Sequence, residues 1–265
     1  MSLLLTGAGK HAVAAVGGGT PATIFGSNLY AHYDAGMGGY TTHVLGGVEN
    51  WPDQTANARH LTCNSSTGLG VGGTHPLYQA TGLNGHPSLL FSDAAAVGMV
   101  RKGATATLNG VTQLAVFMVM SAQASPGQSY GRMMAYVPDE STDDYAGPGS
   151  AIGMLRDATT MNFFFGPGAE VLTAGVGYHL ATVWDGTAQA GYFNGSLDTS
   201  ATITALALTG TTAQVLCIGC GWVISGGMTG VHHGQLSEVC IVTGMSVTST
   251  HVTQMHSYFA TKYGI

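Results

Sequence analysis

The sequence predicts an all-β fold, two antiparallel sheets packed face to face, with an extended N-terminal arm and one short C-terminal helix. Three observations predict it. Period-two patterning recurs in short segments: Tyr178, Leu180, Thr182 and Trp184 alternate with His179, Ala181 and Val183, as in a strand with two different faces. Tight-turn dipeptides separate such segments, among them Asn84-Gly85, Asp185-Gly186 and Asn194-Gly195, whose residues tolerate the positive φ of hairpin turns. Apolar residues at helical spacing, Val252, Met255 and Phe259, occur near the C-terminal end. With 265 residues, 45% of them hydrophobic, the chain has enough material for one large β domain.

Taken in order, residues 1–26 differ from the rest. Leu3-Leu4-Leu5 is followed by a Gly/Ala/Val run to Pro21 with no alternation long enough for a stable strand. A segment of this kind cannot bury itself, and an extended arm is expected here. Leu3, Leu4, Leu5, Val13 and Val16 are its candidate contacts on a neighbouring subunit. The body is expected to run from residue 27 to residue 265 without internal repeat or further boundary. Asn28–Ala35 reads as its first strand, and Leu83–Phe91 as a hairpin arm turning at Asn84-Gly85. In Val111–Ser121, Leu114, Val116, Met118 and Met120 share one face while Ala115, Phe117 and Val119 share the other. Both faces are apolar, so this strand is expected mid-sheet, covered on both sides by the opposing sheet and by arm, loop or another subunit. Glu140–Tyr145, between Pro138 and Pro148, reads as a loop. A helix over Ser249–Lys262, capped by Thr248 or Ser249 and ended by Gly264, is expected on the sandwich edge.

Several of these pieces carry a family resemblance. Trp184-Asp-Gly186, then Tyr192-Phe-Asn-Gly-Ser-Leu197, then Gly234-Gln-Leu-Ser-Glu-Val239 follow the order of a hairpin and strand in the laminin-G-like branch of the concanavalin A-like jelly rolls. Upstream, Tyr33-Asp34-Ala35, Trp51-Pro-Asp53 and Asn84-Gly-His-Pro-Ser-Leu89 resemble further segments of that family. The resemblance implies a jelly-roll sandwich and names no activity. The opening Met1-Ser-Leu-Leu-Leu-Thr-Gly-Ala-Gly9 also resembles the start of many structural proteins of bacteriophages and prophages.

Charged residues make up only 8% of the chain, against roughly 25% in ordinary soluble domains. A surface so poor in charge favours association, which suggests coverage by other protein; a neutral Ser/Thr/Gly surface is the alternative. The net charge of −6 and seven scattered Lys and Arg argue against nucleic-acid binding. No apolar run approaches a membrane span, and no basic residue precedes the short Leu3–Leu5 run as in a secretory leader. Assembly in a cytoplasm is expected, with Cys63, Cys217, Cys220 and Cys240 as free thiols. Cys217-Ile-Gly-Cys220 has metal-pair spacing but no second pair, and buried reduced cysteines on core strands are expected.

Catalytic motifs are scarce. The laminarinase-type alternation of three acids on one strand is missing among the thirteen Asp and Glu, and so are the nucleophile elbow and zinc-helix motifs. No catalytic, cofactor-binding or metal residue is therefore assigned. His232-His233 and the other nine histidines read as single surface or interface residues. The laminin-G-like resemblance implies calcium at the sandwich rim, with Asp34, Asp53, Asp93 and Asp185 as candidate donors, but their spacing selects none. Trp184 alternates into the core; Trp51 and Trp222 lie beside turns and are the candidate sugar-stacking platforms, with packing at the sheet rim as the alternative. Two functions remain. The first is a non-enzymatic virion structural protein, a capsid decoration, cement or tail-associated subunit that is homo-oligomeric and held to other virion proteins by its arm. The second is a lectin-like module binding a cell-surface glycan.

Overall fold

The computed structural model describes residues 3–4, 19–42, 47–63, 75–92, 98–102, 108, 110–123, 131–137, 152–157, 160–163, 166–202, 214–223, 227–229 and 231–265. The N-terminal part holds β1 (Leu3–Leu4), α1 (Pro21–Phe25), β2 (Leu29–Asp34), β3 (Thr41–Thr42), β4 (Val48–Trp51) and β5 (Leu61–Thr62). The middle holds β6 (Leu77–Leu83), β7 (His86–Phe91), β8 (Met99–Lys102), β9 (Leu114–Ala122), β10 (Gly131–Val137), β11 (Ile152–Asp157), β12 (Thr160–Phe163) and β13 (Gly166–Val171). The last third holds β14 (Gly177–Trp184), β15 (Ala188–Phe193), β16 (Ser196–Thr202), β17 (Val215–Ile218), β18 (Gly221–Val223), β19 (Gly227–Thr229), β20 (Gly234–Thr243) and α2 (Ser249–Tyr263).

These strands build a two-sheet sandwich. One sheet runs β1-β3-β4-β5-β8-β17-β10-β11-β12-β13; the other runs β16-β15-β14-β9-β20-β7-β6. A small ribbon pairs β18 with β19. One edge of β20 lies along β9. Its other edge is shared, β7 pairing with Gly234–Leu236 and β2 with the stretch from Glu238 to Val242.

Local chemistry accounts for the hairpins. Asn84 and Gly85 (φ 49° and 81°) turn β6 into β7, and Asn194 and Gly195 (φ 48° and 81°) turn β15 into β16. Two consecutive positive φ values are the type I′ geometry that matches strand twist.

Two buried layers flank the second sheet. Leu114, Val116, Met118 and Met120 of β9 enter the core between the sheets with Leu180, Trp184, Val239 and Ile241. Ala115, Phe117 and Val119 face the other way, into a second cluster with Ala181, Val183, Val242, Val252, Met255 and Phe259. The two-faced reading of β9 therefore holds, and its second cover comes from helices of the same chain. This corrects the expected position of α2: it lies over the face of the sheet, because Val252, Met255, Phe259 and Tyr263 are all buried there. Its termini follow the sequence signals, a Thr248–His251 capping box and Gly264 in the left-handed conformation.

The N-terminal region also differs from a wholly extended arm. Thr20 caps the five-residue α1, and Phe25 is buried, its ring 5.4 Å from that of Phe117. Apolar packing thus starts before Ser27. Leu3 and Leu4 pair with Thr42 and Thr41 of the same chain, placing β1 at the end of the larger sheet. Leu5, Val13, Val16, the 140–145 loop and Asp93 lie outside the described residues.

Candidate functional site: a buried polar cluster under the C-terminal helix

The most unusual chemistry of the described chain lies between β2, β20 and α2. A register shift between Leu236 and Glu238 changes the phase of β20. Leu236, Val239 and Ile241 consequently point into the inter-sheet core, while Cys240 and Val242 face α2. Bulges re-aim side chains in this way. On the neighbouring strand His32 stands opposite Cys240, and Asp34 opposite Glu238. From above, α2 contributes Tyr258 and Lys262, one turn apart, and Tyr263.

Glu238 is wholly buried and fully engaged. Its Oε1 lies 2.6 Å from His32 Nε2 and accepts from the Tyr258 hydroxyl at 3.0 Å. Its Oε2 accepts from Lys262 Nζ at 2.6 Å and from the Tyr263 hydroxyl at 2.8 Å. Lys262 also donates to Asp34 Oδ2 at 2.6 Å. Burial pushes the Glu238 carboxyl up, but Lys262 and His32 outweigh it and hold it at about 2. Asp34 shifts upward through burial and the nearby Glu238 charge, with Lys262 opposing. Burial pushes Lys262 down and its two carboxylates more than compensate, so it stays protonated. Such an arrangement fastens the helix to the sheet: isolated charges would be expelled from this layer, and mutual pairing retains them.

Asp34, Asp53 and Asp185, three of the four aspartates considered for calcium, are engaged by protein groups. Asp34 belongs to the cluster just described. Asp53 accepts from the backbone N–H groups of His32 (2.9 Å), Thr55 (3.0 Å) and Arg59 (2.8 Å), and from the Thr55 hydroxyl (2.8 Å). Asp185 caps its own turn through the N–H groups of Thr187 and Ala188, which hold its carboxyl below the usual range.

The tryptophans divide. Trp51 is fully buried in the core, its ring 5.8 Å from Tyr33, so the sequence-based assignment of a sugar platform there is corrected. Its strand β4 sits mid-sheet between β3 and β5. Trp222 lies on β18, paired with Met228 of β19. Trp184 is buried, as its alternation predicts.

His232 is buried too, beside Phe91, with its N–H bonded to the Gly219 carbonyl; it is not the surface histidine expected. Cys217 and Cys220 enter the same core cluster because Gly219 (φ 76°) breaks the strand between them. None of the four cysteines is joined in a disulfide. On the face under α2, His179 of β14 is fully buried between Phe117 and Phe259. Its ring stacks on His256 of α2 with Nδ1 atoms 3.4 Å apart. Burial, with His256 adding, pushes His179 down to about 3, so it is neutral at physiological pH.

Sequence reasoning missed the Glu238 cluster. One signal existed: Lys262 continues the Val252, Met255, Phe259 series at helical spacing, a cation where the next core residue belongs. The partners stand far apart in sequence, Asp34 and Lys262 by 228 positions, and nothing local connects them.

No family model and no curated protein matches the chain. Solved structures do resemble it in fold. Domain 4 of AbnA, an extracellular arabinanase from Geobacillus stearothermophilus solved with arabinotriose, superposes with a TM-score of 0.55 at 18% identity. That match covers 86% of this chain and 98% of that one. Trypanosoma rangeli sialidase, in complex with the inhibitor DANA, gives 0.58 at 13% identity over 92% of this chain and 35% of the sialidase. The receptor binding domain of botulinum neurotoxin type G gives 0.51 at 12% identity over 88% and 51%. At these identities the likeness is one of β-sandwich fold. The chain spans about a third of the sialidase, and nearly all of the arabinanase domain.

Proposed function

We propose that the protein is a non-catalytic carbohydrate-binding module. The observation that carries this reading is the whole-domain correspondence with AbnA domain 4, a sandwich of matching extent that was solved holding a trisaccharide. The chemistry of the described acids agrees. Asp34 and Glu238 are locked with Lys262, and Asp53 and Asp185 with backbone N–H groups, which leaves none of these four poised as a glycosidase acid or nucleophile. With Trp51 buried, Trp222 on β18 is the remaining aromatic candidate to test. A glycan array probed with the full chain and with Trp222→Ala decides the matter. Binding lost on substitution, with unchanged melting, supports the reading; no binding across plant, bacterial and sialylated glycans sinks it.

A second reading, a virion decoration or tail-associated subunit of the laminin-G-like type, draws on the 8% charged composition and on β1 as the terminal strand of the larger sheet. An end strand offers an edge to a neighbouring chain. Light scattering of the full chain against a chain starting at Gly19, which keeps α1 and Phe25, tests it. Association lost with residues 1–18 supports an assembly role, and equal monomers exclude self-association through them.

A further inference from the structure

The cluster under α2 contains three metal-ligating groups of different kinds. One ligand atom each from His32, Glu238 and Cys240 lies within 4.8 Å of the other two. They come from two adjacent strands: Glu238 and Cys240 are two residues apart on the α2 side of β20, and His32 stands opposite Cys240 on β2. Glu238 and Cys240 are fully buried, whereas His32 is partly exposed and opens the group to solvent.

We propose that His32, Glu238 and Cys240 form a binding site for a divalent transition-metal ion of the zinc type. An imidazole, a thiolate and a carboxylate suit a borderline-soft ion and serve calcium or magnesium poorly. Metal–ligand lengths of about 2.0–2.3 Å put tetrahedral ligand atoms roughly 3.3–3.7 Å apart. Here His32 Nε2 and Glu238 Oε1 are 2.6 Å apart, and Cys240 Sγ is 4.0 Å from the same oxygen. For these two pairs the adjustment needed is about 1 Å or less, within reach of side-chain torsions. Tyr263 and Lys262 grip the other oxygen, Oε2, and so hold the carboxylate in orientation as outer partners of metal ligands do. Binding breaks the His32–Glu238 contact and forms three metal–ligand bonds. The proton between His32 and Glu238 and the Cys240 thiol proton leave to solvent, so two positive charges replace two and the total charge of the cluster is preserved. Water is the fourth ligand expected of a site with three protein ligands.

Cobalt(II) titration of the full-length, reduced, metal-free chain tests this directly. One cobalt per chain is expected, with a thiolate-to-cobalt charge-transfer band in the near ultraviolet that zinc abolishes. Cys240→Ser and Cys240→Ala should remove the band, and His32→Gln, which retains a donor for Glu238, should weaken binding tenfold or more. Cys217→Ser should leave both unchanged. Absence of a charge-transfer band in the wild-type chain overturns the proposal. So does a band that survives in Cys240→Ala, since the thiolate would then come from Cys63 or the Cys217/Cys220 pair. If neither Cys240 variant folds, the His32→Gln titration decides, and unchanged affinity there overturns the site.

Discussion

Replacing Lys262 by methionine isolates the energetic role of the buried cluster. Methionine keeps much of the side-chain length but removes the ammonium that bridges Asp34 and Glu238 at 2.6 Å each. Two carboxylates that are 3% and 0% exposed then lose their shared cation. Removing one partner of a buried ion pair costs about 3–5 kcal/mol. The Glu238 carboxyl provides a second measure: it is held at about 2 against 4.5 for an unperturbed glutamate. At about 1.4 kcal/mol per tenfold change in affinity for the proton, that corresponds to roughly 3 kcal/mol, shared between Lys262 and His32. The sign follows from the depressed value. In the native protein this stability is fully present above pH 4.5 and is lost as the pH falls toward 2. In Lys262→Met the orphaned carboxylates take up protons more readily in the folded state, so acid relieves part of the defect. Urea unfolding at pH 7 and pH 5 should therefore show a loss of about 3–5 kcal/mol at pH 7 and a smaller loss at pH 5. A loss below about 1 kcal/mol, the range of an exposed ion pair, would refute the reasoning, as would a deficit independent of pH.

Further outcomes follow from other sites. His179, pushed down to about 3, takes up its proton in the unfolded chain first, so its contribution is fully present above pH 6.5 and is lost as the pH falls through the window down to about 3. His179→Leu should remove about 1.4 kcal/mol per pH unit of that slope, measured by denaturant unfolding from pH 7 to pH 4. Trp51→Ala should cost about 3–5 kcal/mol in urea, as expected of a buried core aromatic; a variant with unaltered midpoint would mean that Trp51 is not packed as described. Gly195→Ala places a Cβ 2.6 Å from the His256 ring at φ 81°, and should lower stability by about 1–3 kcal/mol while disturbing the His179–His256 stack. An unchanged melting curve together with unshifted histidine resonances would contradict that contact.

Much of the architecture was legible because it is encoded locally. Asn84-Gly85 and Asn194-Gly195 announce their hairpins through the φ values those residues tolerate. The double apolar face of Leu114–Ala122 announces a strand covered on both sides. Thr248 and Gly264 bracket the helix. The candidate site was illegible for the opposite reason. Trp51 beside Pro52 has the local look of a turn, yet its side chain packs in the core cluster against Tyr33. Alternation counted from Leu236 would send Glu238 and Cys240 into the inter-sheet core, and only the bulge turns them toward α2.

By itself the sequence determined the fold class, the turns and the limits of the helix, because each depends on the conformational preferences and spacing of residues close along the chain. The tertiary structure alone decided where α2 lies and what stands beneath it. Asp34, Glu238 and Lys262 acquire their roles from a pairing of strands and a helix placement that bring distant residues within 2.6 Å. In a layer shielded from water, that proximity converts three ordinary charges into a latch whose members cannot be removed singly without a large cost.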